Sequence, residues 1–267
     1  MRRFLAIESF AITSPSRQPS GTDTVPASLK RRDPKIWQMA YGASARAIED
    51  SGLAPRSIVV GTALGALDET KNFLDGVFTD GLGSPRNFIA SVHNSMGGKL
   101  AMELKIPGPN LTVCDGHNSF ASALITADLL DEGSFPVLAC FVDERIEFLD
   151  RIRPHMTGTC KKYIASGWED AAVAFVLSRK DETGRKVVRA FGPHPVENES
   201  GAENGLQLLV SPVNGGSMLL PLEETSTSFI RPAIAAYELL DKNTNIVAFI
   251  GSFSPSARAV AAVELHA

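Results

Sequence analysis

The residues best suited to chemistry are Cys114-Asp115-Gly116-His117-Asn118-Ser119, which place a thiol, a carboxylate, an imidazole and a hydroxyl in one short run. A cysteine beside a histidine can become a thiolate nucleophile. Cys, His and Asp together can also hold zinc, and a serine in a sharp turn after a strand can serve a hydrolase. Spacing speaks against the last two. Neighbouring strand residues point to opposite faces, which splits the Cys/Asp pair, and no second ligand pair at zinc spacing occurs, so no metal is expected. Gly116-His117-Asn118-Ser119 carries one residue too many before the serine for a Gly-x-Ser-x-Gly elbow. Gly97-Gly98-Lys99 lacks the preceding glycine and the following Ser/Thr of a phosphate loop, and no cofactor is expected.

Positioning these side chains requires a strand that ends near 115 and a helix that begins near 120. Leu111 to Asp115 reads as that strand and Phe120 to Leu130 as an Ala-rich helix, followed by a fully apolar strand at Val137 to Val142. Upstream, Phe4 to Ile12 reads as a strand and Thr13 to Ser28 as an exposed Ser/Pro/Gly loop. Asp33 is placed to cap a helix running to Asp50, with Pro34 in its first turn. Ser57 to Gly61 is a buried strand. Leu67 to Phe78 is a helix with Phe73, Leu74, Val77 and Phe78 toward the core, and Ser91 to Leu104 a further helix. This alternation implies a parallel sheet covered on both faces. Asp170 to Leu177 and Lys186 to Phe191 read as an adjacent antiparallel pair. Gly192 to Gly216 reads as irregular apart from Leu206 to Val210. A helix near Arg231 to Leu240 and strands at Ile246 to Ile250 and Ala257 to Leu265 complete the chain.

The 267 residues, 44% of them hydrophobic, suffice for one large core, so a single domain over 1–267 is expected. A net charge of −4 without a basic groove argues against nucleic acid. Lys30-Arg31-Arg32, the densest cationic run, is too short for a phosphate track and reads as a solvated helix start able to touch an acidic protein. Glu8 interrupts the only signal-like stretch, and no apolar run approaches the ~20 residues of a membrane span. Cys114 and Cys140 lie in strand-like runs and Cys160 in a polar loop, so no disulfide framework is expected and a cytoplasmic location is.

Gly108-Pro109-Asn110 and the run from Leu111 to Ala123 resemble the N-terminal domain of the β-ketoacyl synthases of the thiolase superfamily, where the acyl-accepting cysteine follows a Gly-Pro-Ser/Asn strand start at fixed distance. Counting from Gly108 places that cysteine at His117 and leaves Cys114 in the strand. Leu29 to Arg32, Val59-Val60-Gly61-Thr62-Ala63-Leu64-Gly65, Ser84 to Gly98 and Ala165 to Leu177 are similar to further family segments in the same order, over residues 29–178. The resemblance implies an α/β thiolase-like layered fold with one complete half and a truncated second half.

The departures bear on function. The family's condensing enzymes carry two histidines in their second half on His-Gly-Thr and Gly-His segments, whereas this chain offers only His194 between prolines and His266 beside the C-terminus. The resemblance therefore implies a non-catalytic chain-length factor, as in aryl-polyene type II systems. Such a factor would pair with a catalytic ketosynthase in fatty-acid or polyketide biosynthesis and meet the acyl carrier protein through that complex. His117 is then a relic nucleophile position: a polar plug at the pocket floor, or a packing residue in the turn. Leu64, Thr70, Phe73, Phe88, His93, Asn94 and Met96 match segments around the subunit interface and acyl tunnel. The plainer reading of Phe73, Phe88 and Met96 is ordinary core, while Asn94 is expected as a buried amide that organises its loop. A second reading, a stand-alone acyltransferase or hydrolase using Cys160 or His117, stays open here.

Overall fold

Strands that are apolar along their whole length must be covered on both faces, and two of them lie side by side in the interior of the sheet. In the computed structural model, which describes residues 4–15, 25–26, 33–157, 169–179, 186–195, 207–212, 218–221, 230–242, 246–254 and 259–266, these are β4 (Val137–Asp143) and β5 (Ala171–Ser178). Around them lie β1 (Leu5–Thr13), β2 (Ser57–Thr62), β3 (Asn110–Cys114), β6 (Val187–Pro195), β7 (Gln207–Pro212), β8 (Met218–Pro221), β9 (Ile246–Ser254) and β10 (Ala259–His266). The order across the sheet is β3-β2-β4-β5-β1-β6-β10-β9-β7-β8.

Alternation along β4 shows how the layers arise. Val137, Ala139 and Phe141 join one core, and Leu138, Cys140 and Val142 the other. The first face is covered by α5 (Ser119–Leu129) and α6 (Arg231–Asp241), the second by α1 (Lys35–Ser51) and α4 (His93–Glu103). Small residues bring α5 close to the sheet. At Gly61 a Cβ would stand 2.8 Å from the Phe141 ring and 3.2 Å from the Ala123 methyl, so only glycine fits that point of β2. Phe120 then seats edge-on against Phe141 at 4.6 Å. Arg179 closes the far end of α5, donating to the carbonyls of Asp128 and of Leu130 (2.6 Å) while lying over the Phe135 ring.

Several expectations need correction. Among the described residues the sheet is parallel only where β2 lies between β3 and β4; every other pairing is antiparallel. β5 and β6 are not neighbours, because β1 sits between them and pairs with both. The long-range pairing of β1 sets this order, and no local pattern reveals it. Asp33 does not cap α1: Pro34 is the N-cap, and the Asp33 carboxylate lies 3.6 Å from Lys99 Nζ. β6 extends to Pro195, and β8 was not anticipated.

The expected helix 91–104 is divided at Val92, whose extended backbone ends α3 (Pro85–Ser91) and starts α4. Hydroxyls of Ser91 and Ser95 donate to the Phe88 and Ile89 carbonyls at 2.8 and 2.6 Å, satisfying the freed acceptors. The helix expected at 67–78 is α2 (Leu67–Asp80), but its apolar stripe does not meet the core, and none of its residues is buried. Phe73 packs on Phe88 of α3 at 5.3 Å, and at Gly83, between the two helices, a Cβ would stand 2.3 Å from the Phe73 ring. The α2–α3 pair thus rests on itself. Phe78 and Leu82 are 83% and 78% exposed, with Leu74, Phe88, Ile89 and Val92 outward beside them. Lys30 to Arg32, Cys160 and Ala165 to Trp168 lie outside the described residues.

Candidate functional site at the turn between β3 and α5

The parallel strands β2, β3 and β4 end on the same side of the sheet, the side on which open α/β sheets bind ligands. β3 ends at Cys114, Gly116 turns the chain at φ +52, and a single 3-10 turn over Gly116–Asn118 leads into α5. A residue with a Cβ at Gly116 would be strained. His117 stands in the middle of this turn, at the N-terminal end of α5.

The neighbouring groups are engaged in holding the turn. Ser119 Oγ accepts from the Asp115 N–H at 2.9 Å and shares its own proton between the Gly116 and Thr62 carbonyls at 2.8 and 2.9 Å. Asp115 accepts from Ser122 Oγ at 2.7 Å. Cys114 donates its thiol to the Ala63 carbonyl at 3.1 Å, and burial, then the Asp143 and Asp115 carboxylates, push that thiol above its ordinary value. A thiol so placed stays protonated at neutral pH and is a poor acyl acceptor. Cys140, inside β4, is pushed up to about 12 by burial. Among the described residues no group of three or more His, Cys, Asp or Glu side chains is arranged to hold a metal ion.

The loop Thr62 to Gly65, directly after β2, forms the wall beside this turn. Gly65 has φ +59, and a Cβ there would stand 2.6 Å from the imidazole of His93, so that ring lies flush against the loop. Of the remaining tunnel candidates, Leu64, Thr70 and Phe73 are half-buried and Phe88 is exposed. Asn94 is exposed at the start of α4, which corrects the expectation of a buried amide there. Met96 is 2% exposed and packs with Ile58, Val60 and Leu100 in the core beneath α4.

Asp143 and Glu144, adjacent acids after an apolar strand, were missed; that abrupt change was the available signal. Burial raises Asp143 to about 6 against the bonds it accepts from Ala63, Thr62 and Leu64. Burial raises Glu144 to about 7; Lys35 opposes this, and Asp68, Asp170 and Glu69 add to it. Glu144 Oε1 has no hydrogen-bond partner among the described residues. In mildly acidic solution, below about pH 6 for Asp143 and about pH 7 for Glu144, the fold keeps a proton on each acid that the unfolded chain gives up. Their contribution to stability is therefore complete below about pH 4 and is lost as pH rises through the folded values. Glu144→Gln should flatten the fall of melting temperature between about pH 5 and about pH 8, and stabilise the chain by about 1–3 kcal/mol at the upper end. A variant that melts in parallel with the wild type across that range would contradict this assignment.

The family model for the β-ketoacyl synthase N-terminal domain matches residues 8–187. The chain belongs to that family. No curated protein matches it. Among solved structures, a chain of the complex between the ketosynthase ApeO and its chain length factor ApeC from Xenorhabdus doucetiae is similar, with a TM-score of 0.64, 16% identity, and coverage of 98% of this chain and 99% of that one. The ishigamide ketosynthase/chain length factor matches at a TM-score of 0.67 and 15% identity over 98% and 99% of the two chains. A chain of AntDE:AntF, a type II polyketide synthase acyl-carrier protein in complex with its ketosynthase bound to the hexaketide, matches at 0.70 and 13% over the whole of both chains. At these identities the likeness establishes the fold, a thiolase-like layered α/β fold. Among the described residues no helix is long and apolar enough to cross a membrane.

Proposed function

We propose that this chain, as one domain over residues 1–267, is a non-catalytic chain-length factor. It pairs with a catalytic β-ketoacyl synthase in the cytoplasm and serves polyketide or polyene-type fatty-acid assembly on an acyl carrier protein. The observation that carries this reading is His117 in the turn before α5, where the family's cysteine would stand. A thiolate attacks a thioester and departs again as a thiolate, whereas an imidazole cannot store an acyl chain as a thioester. No cofactor or metal is required of such a subunit.

Two surfaces support the partner. β3 is an edge strand of the sheet with Asn110 and Leu111 exposed, and its open ladder can continue into a second sheet. The outward apolar residues of α2 and α3 form a patch of the kind obligate interfaces cover, and α4 links the two surfaces. In this reading Phe88, His93 and Asn94 face the partner. Leu64, Thr70 and Phe73 limit the acyl tunnel, and Met96 supports it from the core.

Co-expression with its synthase should give a stable heterodimer, while the chain alone is poorly soluble or self-associated. In that complex Phe73→Ala should admit longer acyl products at similar condensation rate, with a lowered melting temperature from the lost packing on Phe88. Met96→Ala should instead cost about 2–5 kcal/mol of stability through the cavity it leaves. A well-behaved monomer that ignores its synthase, or acyl transfer to Cys160 or His117, would replace this reading with that of a stand-alone acyltransferase or hydrolase.

A further inference from the structure

β2 loses its ladder to β4 after Gly61 and its ladder to β3 after Thr62, so the loop that follows must be held by other means. One side chain does so. Asp143, the last residue of β4 and 6% exposed, accepts three bonds on Oδ1: from Thr62 Oγ1 at 2.9 Å, the Ala63 N–H at 2.9 Å and the Leu64 N–H at 3.2 Å. Oδ2 lies 3.2 Å from the same Ala63 nitrogen, and Thr62 Oγ1 accepts from the Gly65 N–H at 2.9 Å. Every residue from Thr62 to Gly65 is thus tied to this carboxylate, directly or through one hydroxyl.

The loop in turn meets the site on both sides. Its carbonyls at Thr62 and Ala63 take the Ser119 hydroxyl and the Cys114 thiol, and its Gly65 backbone lies under the His93 ring. We infer that Asp143 is a positioning residue that fixes the wall of the acyl cavity and, through Leu64, its length selectivity. This rests on the chain-length-factor reading. A carboxylate suits the role because it only accepts. An amide in its place would turn a donor toward the Ala63 N–H where Oδ2 now lies.

The test uses the heterodimer and the distribution of product lengths by mass spectrometry, with amide hydrogen exchange at Ala63 and Leu64 as a readout independent of products. Asp143→Asn should lose the single dominant product length and speed exchange of both amides, while the heterodimer still forms and condenses. Leu64→Ala should also lose the dominant length, and the double variant should match Leu64→Ala alone, because Asp143 acts through that residue. Thr62→Val removes one anchor without touching the carboxylate; it should broaden the distribution too, and it decides the matter if Asp143→Asn does not fold. An unchanged distribution in these variants, with Phe73→Ala still lengthening the product, would overturn the role of Asp143. So would additive effects in the double variant. If Phe73→Ala also leaves the product unchanged, the tunnel reading itself fails.

Discussion

Ile89→Asp will dissociate the heterodimer while leaving the fold of the isolated chain intact. Ile89 lies outward on α3, 61% exposed, next to Phe88 and Val92. In the free chain its replacement by a polar residue removes little packing, and such surface changes usually stay within about 0.5 kcal/mol. Under a partner the same carboxylate becomes a buried charge without a counter-ion, which costs several kcal/mol. Since each 1.4 kcal/mol is tenfold in affinity, about 3 kcal/mol weakens the pair roughly a hundredfold. Leu129→Asp is the control, because Leu129 is also well exposed but ends α5, away from the α2–α3 patch. Size-exclusion chromatography of the co-expressed proteins reads both. Equal behaviour of the two variants would remove α3 from the interface.

What was legible in the sequence follows from how local each determinant is. β2, β4 and α5 were readable because strands buried on both faces are continuously apolar and because an Ala-rich run packs closely on a sheet. The tight turn was readable from the apolar strand before it and the small-residue helix after it, and it lies at Gly116–Asn118. The insertion of β1 between β5 and β6 was not readable, since strand order depends on which distant strand fills the gap. Nor was the outward stripe of α2: Leu74 and Phe78 satisfy helical periodicity equally well whether a core or another protein lies opposite. The role of Asp143 is not legible locally, because a carboxylate after an apolar strand reads as a solvated strand end, and its partners at Thr62 to Leu64 are some eighty positions away.

In the proposed complex the chemistry belongs to the partner. Cys114 is held protonated against the Ala63 carbonyl, Cys140 is sealed in the sheet, and the turn that would present a nucleophile carries His117. The decisive measurement is intact-protein and peptide mass spectrometry after incubation with a labelled acyl carrier, for the chain alone and for the heterodimer. Release of carbon dioxide from a malonyl carrier is followed in parallel. The isolated chain should gain no acyl group and release no carbon dioxide, and in the heterodimer all label should lie on the partner's nucleophile. His117→Ala in the heterodimer should keep condensation. Stoichiometric acylation of any residue of this chain, or loss of condensation in His117→Ala despite an intact heterodimer, would contradict the account.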